Sequence, residues 1–258
     1  MSLLTLRNVA KRFDNGTQAL SALDFQIHEG EFVSILGSSG CGKSTALRLV
    51  AGLIAPDSGD IHWSGPRPEL AFVFQEATLM PWANTLTNAR LPLDLKKVPR
   101  AQANTQAAAA LARLGLKGFE SAYPRELSGG MKMRASIARA LITRPAVLLM
   151  DEPFAALDEI TRTKLNDELV SLKCSLSATV IFVTHSVIES VYLSNRIVVF
   201  APRPGRAVAE ISVDQPLPRD VEFRLSPAYA QKCRETSLAL HAAMAMSPGD
   251  VPSIGGRP

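Results

Sequence analysis

Hydrophobic and polar residues alternate through LLTLRNVAKRF and ALSALDFQIHE, two segments separated by the turn-forming Asp14-Asn15-Gly16. Period-two alternation on both sides of such a turn predicts antiparallel strands with one face buried. Three other segments, EFVSIL, AVLLM and ATVIFV, are short and almost wholly apolar. That is the pattern of parallel strands covered on both faces. TALRLVAGL and KMRASIARALI have the residue types and spacing of helices, and the Ala-rich RAQANTQAAAALARL at 100–114 predicts another. With TLTNARLPL before it, that last helix points to a helical insertion at about 78–143. Strands alternating with helices define an α/β core. The end, SPGDVPSIGGRP from residue 247, is rich in Gly and Pro and predicts disorder.

Composition adjusts this picture only slightly. A chain of 258 residues that is 47% hydrophobic can bury the core of one domain with an inserted subdomain. The net charge of +4 is spread over scattered Lys and Arg with no run longer than a pair such as Lys96-Lys97, so no nucleic-acid partner is expected. Three cysteines, Cys41, Cys174 and Cys233, are odd in number and lack metal-type spacing; a reducing cytosol is expected rather than a disulfide framework. No apolar run reaches the ~18 residues of a membrane helix. MSLLTLRNVAKR lacks the basic-then-apolar order of a signal peptide, so the chain is expected to stay soluble on the side where it was made.

GSSGCGKST changes the picture more. Gly37, Ser38, Ser39, Gly40, Cys41, Gly42, Lys43, Ser44 and Thr45 follow a buried strand and open a helix, the context a phosphate-binding loop requires. Glycines let backbone amides turn inward around a β-phosphate, Lys43 supplies a cation to the β- and γ-phosphates, and the Ser44 hydroxyl can ligate magnesium. Cys41 occupies a variable position of the loop and reads as tolerated there rather than functional, although a helix N-terminus would favour its thiolate and make it alkylatable. VLLMDEP, at 147–153, describes a buried strand delivering Asp151 and Glu152 at its C-terminal end, where ligands of open α/β sheets bind. Alone this motif reads as a solvated acidic turn. Beside a phosphate loop it reads as Asp151 holding magnesium through water and Glu152 orienting the attacking water.

His185, at the end of ATVIFVTHS, and Gln75, in LAFVFQE, also follow apolar runs, and a lone histidine is more often structural than catalytic. Parallel strands ending at one edge would bring His185 beside Glu152 and the γ-phosphate, and would make Gln75 a candidate ligand of metal and water. Phe13 reads equally as an adenine platform and as a core aromatic. Leu79, Met80, Pro81 and Trp82 have no periodicity that would bury them all, so they read either as an exposed contact surface or, for Trp82, as a core anchor. LSGGM, at 127–131, puts two glycines at the start of a helix, where they are costly unless the backbone must approach something.

Taken in order, GSSGCGKST, Gln75, LSGGM, VLLMDEP, FAALD with Asp158, and His185 resemble the ATP-binding cassette (ABC) ATPases over residues 3 to about 215. The resemblance implies a P-loop NTPase (RecA-like) α/β core with an N-terminal antiparallel β subdomain and an inserted helical subdomain. A helical extension at 216–246 and a tail at 247–258 would follow. It implies that Ser128, Gly129 and Gly130 meet ATP held by a second copy, so that two chains enclose two nucleotides head to tail with Mg2+. The strings PWANTLTN and PRPGR are similar to those of the ATPase subunits of nitrate, sulfonate and taurine importers. That narrower likeness implies a transmembrane permease as partner and, indirectly, a solute-binding protein. It also implies a peripheral position on the cytoplasmic face of the inner membrane, with a permease segment docking near Trp82. Met131 and Met133 stand where this family usually has glutamines, and Ser186 follows His185 where aspartate is common.

Three other classes share parts of this motif set. A stand-alone P-loop kinase or GTPase would leave LSGG unexplained and would need a guanine-reading Asn-Lys-x-Asp string, which is absent. A soluble cassette acting on ribosomes or DNA usually carries two cassettes or a long coiled coil. An exporter ATPase is often fused to a membrane domain. The expectation is an importer ATPase.

Overall fold

The computed structural model describes residues 2–175 and 178–246; the tail expected to be disordered lies outside them. The chain divides into two compact units, residues 1–67 with 179–258, and residues 68–178.

In the first unit, β1 (Ser2–Arg12) and β2 (Gln18–His28) pair antiparallel, with Leu6 opposite Phe25, and β4 (Ser58–Trp63) pairs antiparallel with the other edge of β1. Along β2, Leu23, Phe25 and Ile27 are buried while Asp24, Gln26 and His28 are exposed, so the sequence alternation is the alternation of faces. The turn is closed by Phe13 N–H donating to Thr17 O (2.9 Å) and Gly16 N–H donating to Phe13 O (2.8 Å). Gly16 takes φ +82° there, which glycine adopts without a Cβ clash.

The same unit holds β3 (Phe32–Leu36), β7 (Thr179–Thr184) and β8 (Arg196–Ala201), all parallel with β3 central, and β9 (Arg206–Ser212) antiparallel to β8. β3 and β7 are buried at every position, as their unbroken apolar runs require. Phe32 and Phe182 pack ring to ring at 5.9 Å. The helices are α1 (Lys43–Val50), α6 (Val187–Leu193), α7 (Val221–Leu225) and α8 (Pro227–Met244). Arg219 is buried and donates to four carbonyls, those of Val191, Tyr192, Val213 and Gln215, while Tyr192 Oη donates to Arg219 O (2.9 Å). These bonds bind the segment leading to α7 against α6.

In the second unit, β5 (Leu70–Val73) and β6 (Val147–Asp151) are parallel, with Val73 opposite Met150. Around them lie α2 (Thr85–Leu95), α3 (Arg100–Arg113), α4 (Gly129–Leu141) and α5 (Glu159–Ser175). Ala103, Ala107 and Leu111 are the buried residues of α3, one stripe at four-residue spacing on which an Ala-rich helix can approach its neighbours closely. Among the described residues, no helix is long and apolar enough to cross a membrane.

Candidate nucleotide site

The first unit carries the phosphate loop. β3 ends at Leu36, and α1 begins at Lys43 with Gly42 as its N-cap at φ +99°. The helix N-terminus therefore presents its first-turn backbone amides and the positive end of its dipole to the loop. A Cβ on Gly42 would lie 2.5 Å from Ala19 O, and one on Gly37 would lie 2.7 Å from Cys41 Sγ; both glycines are obligatory for the loop's path. Lys43 is 3% exposed, and its Nζ donates to Gly37 O and Ser38 O, each at 2.9 Å. The ammonium is thus held at the rim of the cradle. Ser39 and Gly40 are exposed and Ser44 is half-buried. A loop of this curvature, with a lysine reaching back over it and a hydroxyl on the first turn of the helix, fits a nucleotide triphosphate.

Cys41 is 1% exposed, which corrects the expectation of an alkylatable thiol. Its side chain fills space beneath the loop, and a reagent would have to displace the loop to reach it.

Strand register sets the position of His185 relative to the phosphate loop. Leu36 is opposite Thr184 in the parallel β3–β7 pair, so the next residues, Gly37 and His185, leave the sheet side by side. His185 is exposed. Its neighbours fix the turn: Thr184 Oγ1 donates to Glu189 Oε2 (2.6 Å) and accepts from Ser186 N–H (3.0 Å), and Ser186 Oγ accepts from Glu189 N–H (3.4 Å). Ser186 is therefore the N-cap of α6, a job serine and aspartate perform about equally well; this accounts for the serine after His185. Phe13 is 37% exposed at the hairpin tip, so it is available as a platform and is not a core aromatic.

Sequence reasoning used PRPGR only as a likeness, yet its residues pack beneath the phosphate loop. Gly205 N–H donates to Ala19 O (2.9 Å) and Gly205 O accepts from Ser21 N–H (3.1 Å). A Cβ on Gly205 would collide with Cys41 O. Arg203 Nε donates to Gly40 O at 3.2 Å. The only sequence signal was a glycine between prolines and arginines, which also fits an ordinary turn.

The second unit carries the carboxylates. Asp151 ends β6 and is 5% exposed, and Glu152 follows at φ +44°. A non-glycine residue held in the left-handed region is strained, a condition that concentrates at functional sites. The Val73–Met150 pairing puts Gln75 and Glu152 each two residues past matched positions, at the same end of the β5–β6 pair. Gln75 is exposed. Among the described residues no cluster of three or more His, Cys, Asp or Glu could hold a metal by itself. Mg2+ suits such a site, since it keeps waters and takes one or two protein oxygens plus substrate phosphates.

α4 begins at the two glycines. Ser128 is its N-cap, its Oγ accepting from Met131 N–H at 3.3 Å. Gly130 is buried, and a Cβ there would lie 2.7 Å from Thr161 Cγ2, so this glycine has a local packing reason. Gly129 has none: it is exposed, and a Cβ would meet only Leu157 Cδ2 at 3.7 Å, an ordinary contact. Asp158 caps α5 by accepting from Thr161 N–H at 2.9 Å, and that bond holds its carboxyl below the usual range.

Trp82 is 76% exposed, which overturns the reading of it as a core anchor. Pro81 is exposed as well, whereas Leu79 and Met80 are half-buried, so the exposed surface is narrower than the sequence suggested.

Known proteins resemble this chain in sequence and in structure. The family model described as ABC transporter matches residues 20–155. A taurine import ATP-binding protein of Rhizobium johnstonii is 39% identical over 244 residues, covering 90% of this chain and 93% of that protein. An aliphatic sulfonates import ATP-binding protein of Bacillus licheniformis is 42% identical over 234 residues, covering 88% and 89%. The dimeric, post-hydrolysis structure of an ATP-binding cassette with ADP and Pi superposes with a TM-score of 0.74 at 31% identity, covering 83% of this chain and all of that one. A phosphate loop entering α1, a histidine leaving the sheet beside it and a Ser-Gly-Gly helix start, together with these likenesses, place the chain in the ABC transporter family as an ATP-hydrolysing cassette.

Proposed function

We propose that this chain is the ATPase subunit of an importer for a small anion of the nitrate, sulfonate or taurine type. It would work as two copies enclosing two ATP molecules head to tail, against a transmembrane permease at the cytoplasmic face. The names of the taurine and sulfonate relatives support the solute class, and exposed Trp82 supports a permease contact in the second unit. A solute-binding protein on the far side completes such a system.

In this reading the loop from Gly37 to Thr45 wraps the phosphates with its amides, Lys43 neutralises the β- and γ-oxygens, and Phe13 stacks on the base. Ser44, Gln75 and Asp151 would hold Mg2+, which supplies charge neutralisation at the phosphates. Glu152 accepts a hydrogen bond from the attacking water and orients it, and His185 donates to the γ-phosphate. Ser128 and Gly129 aim amides and a helix dipole at the γ-phosphate of the other copy. Phosphoryl transfer requires mainly positioning and charge stabilisation, which these groups provide. Closure on ATP and reopening after hydrolysis would then drive the permease.

The observation that carries this reading is Gly129, exposed at the start of a thirteen-residue helix with no local reason to be glycine. Glu152→Gln keeps shape and MgATP binding but removes the water-orienting carboxylate, so the closed dimer should accumulate. By size exclusion with light scattering, the variant should be a dimer with ATP and revert towards monomer with ADP. Adding Ser128→Arg should abolish the ATP-dependent dimer. A double variant that still dimerises with ATP rules out the head-to-tail sandwich.

A further inference from the structure

Arg139 lies ten residues into α4, after Gly129. Its guanidinium donates to Thr78 O (2.8 Å), Ala77 O (2.9 Å), Thr78 Oγ1 (2.9 Å) and Ser136 Oγ (3.3 Å). All four partners are neutral oxygens, and burial pushes the guanidinium pKa down. A desolvated cation devoted to neutral backbone and hydroxyl oxygens is holding a conformation. Thr78 shows which one: its φ is +45°, and a β-branched residue in the left-handed region persists only where its surroundings over-determine it.

A second tie follows at once. Asn88 of α2 is fully buried; its Oδ1 accepts from Met80 N–H (2.7 Å), and its Nδ2 donates to Met80 O (3.1 Å) and Ala83 O (3.0 Å). The segment from Ala77 to Ala83 is therefore fastened to α4 through Arg139 and to α2 through Asn88. Exposed Trp82 sits on it, and Gln75 lies two residues before its start.

We infer that Arg139 is a positioning residue: its fork locks Thr78 in the left-handed conformation and so joins Ala77, Trp82 and the Ser128–Gly129 end of α4 into one rigid link. A displacement applied at Trp82 is then delivered to the start of α4 through Arg139 and to Ala77, two residues from Gln75. The functional half of this inference rests on the role proposed above for Gln75. Lysine cannot replace this arginine, because a single ammonium cannot span two carbonyls and a hydroxyl in one plane. Glycine at position 78 would occupy φ +45° without help.

The test uses the full chain with Trp63→Phe, which leaves Trp82 as the sole tryptophan. Arg139→Lys should lower Trp82 fluorescence anisotropy and raise amide exchange at 76–80 by about tenfold or more. It should lower kcat on the order of tenfold to a hundredfold while leaving KM for ATP within about twofold, since the phosphate loop is untouched. Adding Thr78→Gly should relieve the strain and return the melting temperature but not the anisotropy, since glycine adopts φ +45° without being held there. Unchanged anisotropy and exchange in both Arg139→Lys and Arg139→Met overturn the clamp. A loosened segment with wild-type kcat overturns the coupling. Wild-type ATP affinity in Lys43→Ala overturns the nucleotide reading instead and leaves the anisotropy result standing.

Discussion

Alanine substitutions at the two adjacent glycines of α4 should separate packing from partner contact, because their surroundings differ. At Gly129 the added methyl meets only Leu157 Cδ2 at 3.7 Å. Alanine is the better helix former, so Gly129→Ala should leave stability unchanged or raise it by about 0.5 kcal/mol. At Gly130 the methyl would sit 2.7 Å from Thr161 Cγ2. Threonine has few alternative rotamers within a helix, so Gly130→Ala should cost about 1–3 kcal/mol. Dimerisation with ATP should respond differently. On the proposed head-to-tail arrangement, a methyl on the exposed Gly129 would enter the space where a partner's γ-phosphate meets the helix amides. Loss of one charge-assisted hydrogen bond, worth about 1.5–3 kcal/mol, occurs twice in a two-fold dimer. The sum of roughly 3–6 kcal/mol corresponds to an ATP-dependent dimer weakened about 10²- to 10⁴-fold. Sedimentation equilibrium of Glu152→Gln with and without Gly129→Ala, beside thermal melts of each, measures both quantities. A variant with an undisturbed melting curve and undiminished dimer affinity refutes the assignment of Gly129 to the partner's phosphate. A lowered melting temperature refutes its openness.

Three further outcomes are expected. Lys43→Ala removes the cation from two phosphates and should weaken MgATP binding a hundredfold or more, read by calorimetry, with hydrolysis lost; retained affinity contradicts the phosphate-loop assignment. Trp82→Glu should reduce co-purification with the membrane permease while ATPase activity and melting temperature stay near wild type, as its 76% exposure allows; collapse of folding would refute the exposed placement. Arg219→Met strands the carbonyls of Val191, Tyr192, Val213 and Gln215. It should cost on the order of 3 kcal/mol, a melting-temperature fall of roughly 6–12 °C, and a shift under about 2 °C contradicts the structural role given to that cluster.

Much of this fold is legible because burial on both faces leaves a plain mark. FVSIL, VLLMD and TVIFVT are the strands β3, β6 and β7, buried throughout or nearly so, and the chemical residues follow at their ends. The β1–β2 pair is legible from alternation and its turn. β4 is not, since SGDIHW has three exposed residues in succession and a single well-covered edge. β8 carries the same apolar signal as its neighbours in IVVF, but its flanking PRPGR says nothing of what lies below it. The phosphate-loop residues could be named because their chemistry is local in sequence. Gly205 and Arg203 could not, because they support that loop from more than 160 positions away.

The same distinction governs the signature. LSGGM looks like one unit with one purpose, and sequence alone gives both glycines the same role. Three-dimensional neighbours divide them: Gly130 is glycine because of Thr161, thirty-one positions later, whereas Gly129 answers to nothing in its own unit. Ser128 has a local job as N-cap, like Asp158 on α5, and a cap residue can be explained without any ligand. The argument for a partner's nucleotide therefore narrows from a five-residue motif to one exposed glycine and the amides it leaves uncovered. Arg139 lies on the same helix and inside a run that reads simply as a good helix, but its side chain holds a strained threonine sixty-one positions earlier. Periodicity reports which face of a helix is buried and not what a half-buried cation grips, so residues that act through others are the part of this site that only the folded structure discloses.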